Sequence, residues 1–145
     1  MFFGPDSYRF ADFIVDELAR DSLCHTVVDV GTGSGVGLIV AASLALPARL
    51  AMTDINGAAL ELARVNARHA NLAVEALEGD ALAGFDAPID LALANPPFII
   101  DEDERAYRHG GGRLGSQLSL DLAATIAARL APGGRLLLYL SLIHI

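Results

Sequence analysis

Three glycines alternate with other residues in the segment 27–35, directly after a short apolar run. Glycine adopts positive φ easily and lets the backbone approach a bound ligand closely. Ligands of open α/β sheets bind beyond the carboxyl ends of the strands, so this turn is predicted to hold a nucleotide-like cofactor. The dinucleotide fingerprint Gly-x-Gly-x-x-Gly is incomplete, because its third position counted from Gly31 falls on Val36, which disfavours NAD. A tight turn without a ligand is the alternative.

Acidic residues follow the next two apolar runs. Asp54 stands at the end of the second run, where a carboxylate can accept both hydroxyls of a ribose. Asp80 follows the third run and can accept a hydrogen bond from an adenine amino group. Each has a simpler alternative: Asp54 or Asn56 can cap a helix beginning near Gly57, and Asp80 can be a cap or a solvated loop residue. Three such strand ends in this order favour one shared crevice.

The peptide Asn95-Pro96-Pro97-Phe98 directly follows the fourth apolar run. Prolines fix the backbone and lack an N–H, which leaves nearby carbonyls free, and the Asn95 amide both accepts and donates hydrogen bonds. The Asn95 side chain and the Pro96 carbonyl can hold a planar nitrogen with its lone pair aimed at an electrophile, while Phe98 stacks on the flat group. We predict these four residues to be catalytic. The alternative is a structural turn with a core Phe.

Short β-rich runs alternate with Ala- and Leu-rich stretches of helical period, which is typical of a parallel sheet wrapped by helices. We predict an α/β, Rossmann-like, doubly wound and mostly parallel sheet in a single domain. The predicted helices cover residues 8–20, 36–46, 57–70 and 116–130. The predicted strands cover residues 26–30, 50–55, 74–77, 89–95 and 135–140, with a polar loop at 99–115 and a turn at 132–134.

Composition narrows the function classes. The apolar runs, of about five to eight residues, are too short to cross a bilayer, and the first residues do not resemble a secretory signal. We therefore expect a cytoplasmic protein without a membrane partner. The net charge of −8 disfavours a simple nucleic-acid binder, which must replace phosphate counterions. Cys24 is predicted to fill the core, and the four histidines share no metal-ligand spacing, so no metal is predicted.

Together these motifs resemble those of class I S-adenosylmethionine-dependent methyltransferases with an Asn-Pro-Pro-Tyr/Phe motif. That group includes release-factor glutamine methyltransferases and relatives acting on adenine or guanine amino groups. The likeness covers about residues 5–139 and rests on residues 29–35, 53–66, 79–80 and 95–98. It implies S-adenosylmethionine as cofactor, its methionine part at residues 31–35, its ribose at Asp54, its adenine side at Asp80 and the substrate nitrogen at Asn95. The implied cofactor-binding residues are Asp29, Gly31, Thr32, Gly33, Ser34, Gly35, Asp54, Asp80 and Asn95.

Two features bear on the methyl acceptor. Phe98 stands where the glutamine-modifying branch commonly has Tyr, whereas Phe is more frequent in some RNA-modifying branches. The stretch Gly4-Pro5-Asp6-Ser7-Tyr8 resembles the Pro-x-x-Asp-Thr segment of the protein-modifying branch and tilts the prediction towards protein. We predict methylation of a protein glutamine, with a release factor as partner, or alternatively of an exocyclic amino group in RNA or DNA. The alternatives from other classes are an NAD-dependent oxidoreductase and a non-catalytic binding domain.

The expected methyltransferase core covers residues 1–139. A sheet of this type usually continues with further strands, so we expect a chain cut short after its fifth strand, with an exposed edge. Residues 140–145 match the translation of a common sequencing-adapter end, which favours a non-native tail.

Overall fold

The computed structural model of the chain describes residues 4–96 and 116–140. Within these ranges helices and strands alternate as α1 (Pro5–Arg20), β1 (Thr26–Val30), α2 (Val36–Ala45), β2 (Arg49–Asp54), α3 (Gly57–His69), β3 (Glu75–Glu78), β4 (Ile89–Ala94), α4 (Ser116–Ala127) and β5 (Leu130–Leu138). The strands form one sheet in the order β3-β2-β1-β4-β5, and every neighbouring pair is parallel. The predicted α/β, Rossmann-like fold is confirmed.

Helices cover both faces of this sheet. α1, α2 and α3 pack on one face, where residues such as Ile14 and Leu38 meet Val27 of β1. α4 and the turn after β3 pack on the other face, where Ile126 and Phe85 join Val28. Because both faces of the central strands are covered, their sequences form continuous apolar runs instead of alternating ones. No helix in the described ranges is long and apolar enough to cross a membrane.

The strand order reverses beside β1, since β2 and β3 extend to one side of it and β4 and β5 to the other. Open α/β sheets bind ligands in the crevice at such a switch point, outside the carboxyl ends of the strands. Val30 and Ala94, the last residues of β1 and β4, are register partners. The glycine-rich turn and Asn95, which follow these two residues, therefore leave the sheet at the same place.

The predicted and observed boundaries differ most at the C-terminal end. α4 ends at Ala127 instead of residue 130, and the predicted turn at residues 132–134 lies within β5. Leu130 pairs with Ile89, yet Arg135 already pairs with Leu91, so the intervening residues form a bulge. Proline and glycine suit this bulge because proline donates no ladder hydrogen bond and Gly133 has a φ of 78°. The composition predicted a break in regular structure but not its place inside a strand.

At the other end, α1 begins at Pro5, three residues earlier than predicted. Proline suits the first helical position, because its missing N–H is not needed there and its φ is already helical. The predicted loop at residues 99–115 and the tail at 141–145 lie outside the described residues.

Candidate functional site

The turn after β1 contains three glycines in left-handed conformation, with φ of 66° at Gly31, 58° at Gly33 and 84° at Gly35. Residues with a Cβ rarely adopt such angles. A Cβ built on Gly31 or Gly33 meets none of the described atoms within 4 Å, whereas one on Gly35 lies 3.2 Å from the Cβ of Ala63 in α3. Gly31 and Gly33 thus leave open space beside the turn, and Gly35 allows α3 to pack against it.

Asp29, the fourth residue of β1, ties the turn to α2. Its carboxylate accepts hydrogen bonds from the Thr32 hydroxyl, at 2.8 Å, and from the Leu38 N–H, at 3.2 Å. The side chain is only 2% exposed, and burial raises the pKa of this carboxyl to about 6, although the bonds from Thr32 and Leu38 oppose the rise. Asp29 therefore holds both ends of the turn in place.

Asp54 links the turn after β1 to the turn after β2. One carboxylate oxygen accepts the Gly33 N–H at 2.9 Å, and the other accepts the Asn56 N–H at 2.8 Å. The helix cap is Asn56 instead, whose side-chain oxygen accepts the N–H groups of Ala58 and Ala59. A carboxylate has about four lone-pair sites, so Asp54 keeps acceptor capacity for hydroxyl groups of a ligand.

Asp80 lies at the end of β3, next to the end of β2, with its side chain exposed. Its backbone carbonyl accepts the Ala83 N–H at 2.9 Å and starts the turn that follows. The structure thus places Asp80 at the same edge of the sheet as Asp54, but not in the wall of the cavity described next.

A cavity of about 150 Å³ lies at the switch point, between α1, the turn after β1 and the end of β4. Six of the predicted site residues line it: Asp29, Gly31, Thr32, Gly33, Ser34 and Asn95. Gly35 belongs to the turn and Asp54 accepts the Gly33 N–H, but neither residue lines the cavity. Pro96 follows Asn95 and is half-buried, whereas Pro97 and Phe98 lie outside the described residues.

The sequence-based analysis missed four residues of the cavity wall. Ser7 and Phe10 come from α1, and Val36 and Gly37 form the first turn of α2. Ser7 lies in the stretch of residues 4–8 whose resemblance had been noted, so that stretch carried a signal. Val36 and Gly37 bring the start of α2 to the cavity. The N-cap residue Gly35 has no side chain, and Asp29 accepts the Leu38 N–H one turn into the helix. The N–H groups of Val36 and Gly37 and the helix dipole favour an anionic group there.

No group of three or more His, Cys, Asp and Glu residues within the described ranges could hold a metal ion. Cys24 packs against the core on the α1 side of the sheet, and burial raises the pKa of its thiol. The prediction that Cys24 fills the core agrees with this packing.

Comparison with known proteins places the chain in a family. The family model described as "Methyltransferase small domain" matches residues 10–141. A release factor glutamine methyltransferase of Deinococcus radiodurans is 39% identical over 147 residues, covering 94% of this chain and 52% of that protein. Ribosomal RNA large subunit methyltransferase G of Vibrio vulnificus is 34% identical over 92 residues, covering 61% of this chain and 24% of that protein.

Among solved structures, TrmN from Thermus thermophilus matches with a TM-score of 0.70 at 30% identity, covering 90% of this chain and 37% of that one. The chain thus spans about half the length of its Deinococcus relative and less of the other two proteins. Because the family model matches most of its length, the chain belongs to the methyltransferase small domain family.

Proposed function

We propose that the chain is the S-adenosylmethionine-binding core of an N-methyltransferase that modifies a planar nitrogen, with a protein glutamine amide as the leading acceptor. One observation carries the proposal: Asn95 and the glycine-rich turn line the same cavity at the switch point of a methyltransferase-family fold. A cofactor turn and an acceptor-binding amide must lie this close for direct transfer between two bound molecules.

The residues around the cavity suit the parts of S-adenosylmethionine, which when bound supplies an electrophilic methyl group on a positively charged sulfur. The N–H groups of Val36 and Gly37 at the start of α2 and the turn at Gly31 and Gly33 suit the carboxylate of the methionine part. Asp54 retains acceptor sites for the ribose hydroxyls, and Asp80 at the next strand end suits the adenine amino group. Pockets for ligands of this class measure about 300–1,000 Å³. The cavity of about 150 Å³ therefore suits the methionine part, with the nucleoside along the strand ends outside it.

The acceptor side depends on Asn95 and Pro96. An amide or aromatic amine nitrogen is a weak nucleophile because its lone pair is conjugated, so it must be held with that lone pair directed at the methyl group. The Asn95 side-chain oxygen and the Pro96 carbonyl offer two acceptors for the two N–H bonds of such a nitrogen. The nearest carboxylate in the cavity wall, Asp29, is already bonded to Thr32 and Leu38. Asn95 and Pro96 thus orient the acceptor nitrogen and do not act as a charged base. Stacking of the acceptor on Phe98 stays a prediction from the sequence.

Three observations favour a glutamine in a release factor over a nucleic-acid base. The Deinococcus relative that matches 94% of this chain is a release factor glutamine methyltransferase. Ser7, from the stretch resembling the protein-modifying branch, lines the cavity. The net charge of −8 opposes binding to a phosphate backbone. An exocyclic amino group of RNA is the second candidate, supported by the 34% identity to a ribosomal RNA methyltransferase. Since release factors act in the cytoplasm with the ribosome, the proposed location is cytoplasmic.

The test is to incubate the chain with S-adenosylmethionine and either a purified bacterial release factor or ribosomal RNA, and to locate new methyl groups by mass spectrometry. We expect one methyl group on a glutamine of the release factor. Asn95→Ala should lower the rate by orders of magnitude with little change in S-adenosylhomocysteine affinity. Asn71→Gly, at an exposed asparagine just after α3 whose φ of 57° suits glycine, is the matched control and should keep the wild-type rate.

Three results would contradict the proposal. Methylation of RNA alone would replace the acceptor with the second candidate. Calorimetry showing tighter binding of NADH than of S-adenosylhomocysteine would indicate an oxidoreductase instead. An Asn95→Ala variant with the wild-type rate would remove the acceptor role of this residue.

A further inference from the structure

Asn66, on α3, forms a hydrogen bond to the glycine-rich turn. Its side-chain N–H donates a hydrogen bond of 2.8 Å to the backbone carbonyl of Ser34, 32 residues earlier in the chain. Ser34 itself lines the cavity. Asn66 is half-buried and does not line that cavity, so any effect on a ligand there must pass through the turn.

This bond fixes one particular peptide unit. The carbonyl of the Ser34–Gly35 peptide accepts from Asn66, while the N–H of the same peptide donates to the Thr32 carbonyl at 3.0 Å. The two bonds hold both polar atoms of the peptide and so determine its plane. That plane matters because Gly35 is the N-cap of α2, whose first turn forms part of the cavity wall.

The packing of α3 supports the same contact. Ala63 and Asn66 are three residues apart on α3 and therefore lie on one face of the helix. A Cβ on Gly35 would lie 3.2 Å from the Ala63 Cβ and 3.3 Å from its Cα, so α3 already touches the turn one helical turn before Asn66. The N-cap of α3, Asn56, shares the Asp54 carboxylate with Gly33. α3 thus supports the glycine-rich turn near the N-cap of the helix and again at Asn66.

We propose that Asn66 is a positioning residue for the methionine end of the cofactor. Glycines in the left-handed region have many alternative conformations, and a ligand that needs one of them binds more weakly when the others are populated. By fixing the Ser34–Gly35 peptide, Asn66 keeps Ser34 and the start of α2 in the arrangement that suits an anionic group. This inference rests on the proposed function, because the methionine end is the part assigned to that cavity.

The experiment compares two ligands on the whole 145-residue chain. S-adenosylhomocysteine carries the amino-acid end, whereas methylthioadenosine has the same nucleoside without it. Loss of one positioned hydrogen bond in Asn66→Ala should raise the Kd of S-adenosylhomocysteine about tenfold. The Kd of methylthioadenosine should change by less than about twofold, since its nucleoside lies at Asp54 and Asp80. Asn71→Gly should leave both values at the wild-type level.

Asn66→Asp is the second variant, since it keeps the shape of the side chain and places an oxygen against the Ser34 carbonyl instead of a donor. Its effect on S-adenosylhomocysteine should be at least as large as that of the alanine variant. Alanine is the best helix former, so Asn66→Ala is expected to keep α3 intact, and thermal unfolding of each variant checks this.

Every outcome bears on the inference. If Asn66→Ala weakened the binding of both ligands equally, Asn66 would support the fold in general and the positioning role would be overturned. Unchanged binding of both ligands would also overturn it. If the wild-type chain bound neither ligand, the proposed function itself would fail, and the role of Asn66 would fall with it. A wild-type chain that binds both ligands, with an Asn66→Ala variant identical to it, would refute only the role of Asn66.

Discussion

Replacing Asp29 by asparagine is predicted to make the folded chain more stable near neutral pH and to lose this gain near about pH 4. Burial raises the pKa of the Asp29 carboxyl from 3.8 to about 6, despite the hydrogen bonds from Thr32 and Leu38. Because this pKa is higher in the folded than in the unfolded chain, the folded chain binds more protons between these two values. The contribution of Asp29 to stability is thus fully present below about pH 4 and is lost as the pH rises through about 6.

The size of the effect follows from the shift. A rise of about two pKa units corresponds to about 3 kcal/mol of unfolding free energy at neutral pH, as an order of magnitude. Thr32 and Leu38 donate to the same Asp29 oxygen, so the one oxygen of asparagine can accept from both. The substitution adds a buried amide NH₂ that needs partners, which reduces the gain. We therefore expect Asp29→Asn to exceed the wild type by about 1–3 kcal/mol at neutral pH.

Urea unfolding of both chains at several pH values between about 4 and 7.5 measures this difference, and subtracting the two curves removes the other carboxylates. Asp16→Asn, at an exposed position of α1, is the matched control with the same change of charge. The reasoning is refuted if the Asp29→Asn difference is the same at both ends of the range, or if the wild type gains on the variant as the pH rises.

Four further substitutions test the local geometry by urea unfolding. Gly31→Ala should cost about 1–2 kcal/mol from its left-handed φ alone, and Gly35→Ala about 1–3 kcal/mol more because its Cβ also meets α3; equal costs would contradict that contact. Asn56→Ala should cost about 1 kcal/mol through loss of the α3 cap, and an unchanged midpoint would show that the cap contributes nothing. Gly134→Ala should cost more than about 2 kcal/mol, because its Cβ would lie 2.6 Å from a β4 carbonyl oxygen; a wild-type midpoint would argue against the bulge.

The parts of the site that follow from chain order could be predicted from the sequence. The turn after β1 could be predicted from its residue types, because the positive φ of Gly31, Gly33 and Gly35 favours glycine. Asn95 follows an apolar strand, and in a parallel sheet of this order that strand lies beside β1. The shared cavity of the turn and Asn95 is thus a consequence of topology.

The parts that depend on packing between distant segments could not be predicted. The sequence predicted a helix over residues 8–20, but not that the first turns of α1 reach the cavity with Ser7 and Phe10. The hydrogen bond from Asn66 to Ser34 joins residues 32 positions apart, so neither the glycine pattern nor the helical period of α3 predicts it. Asp54 binds the Gly33 N–H, whereas Asn56 caps α3. The sequence could not distinguish these two roles, because they depend on the position of the Gly33 N–H.

The most direct test of the central claim is a titration of the isotope-labelled chain with S-adenosylhomocysteine, followed by the amide signals in two-dimensional magnetic resonance spectra. We expect the backbone signals of Gly31 and Gly33 and the side-chain signals of Asn95 to shift together, with a single Kd, while the side-chain signals of Asn71 stay in place. The account is contradicted if the glycine signals move and those of Asn95 do not, or if the ligand leaves all of these signals unchanged.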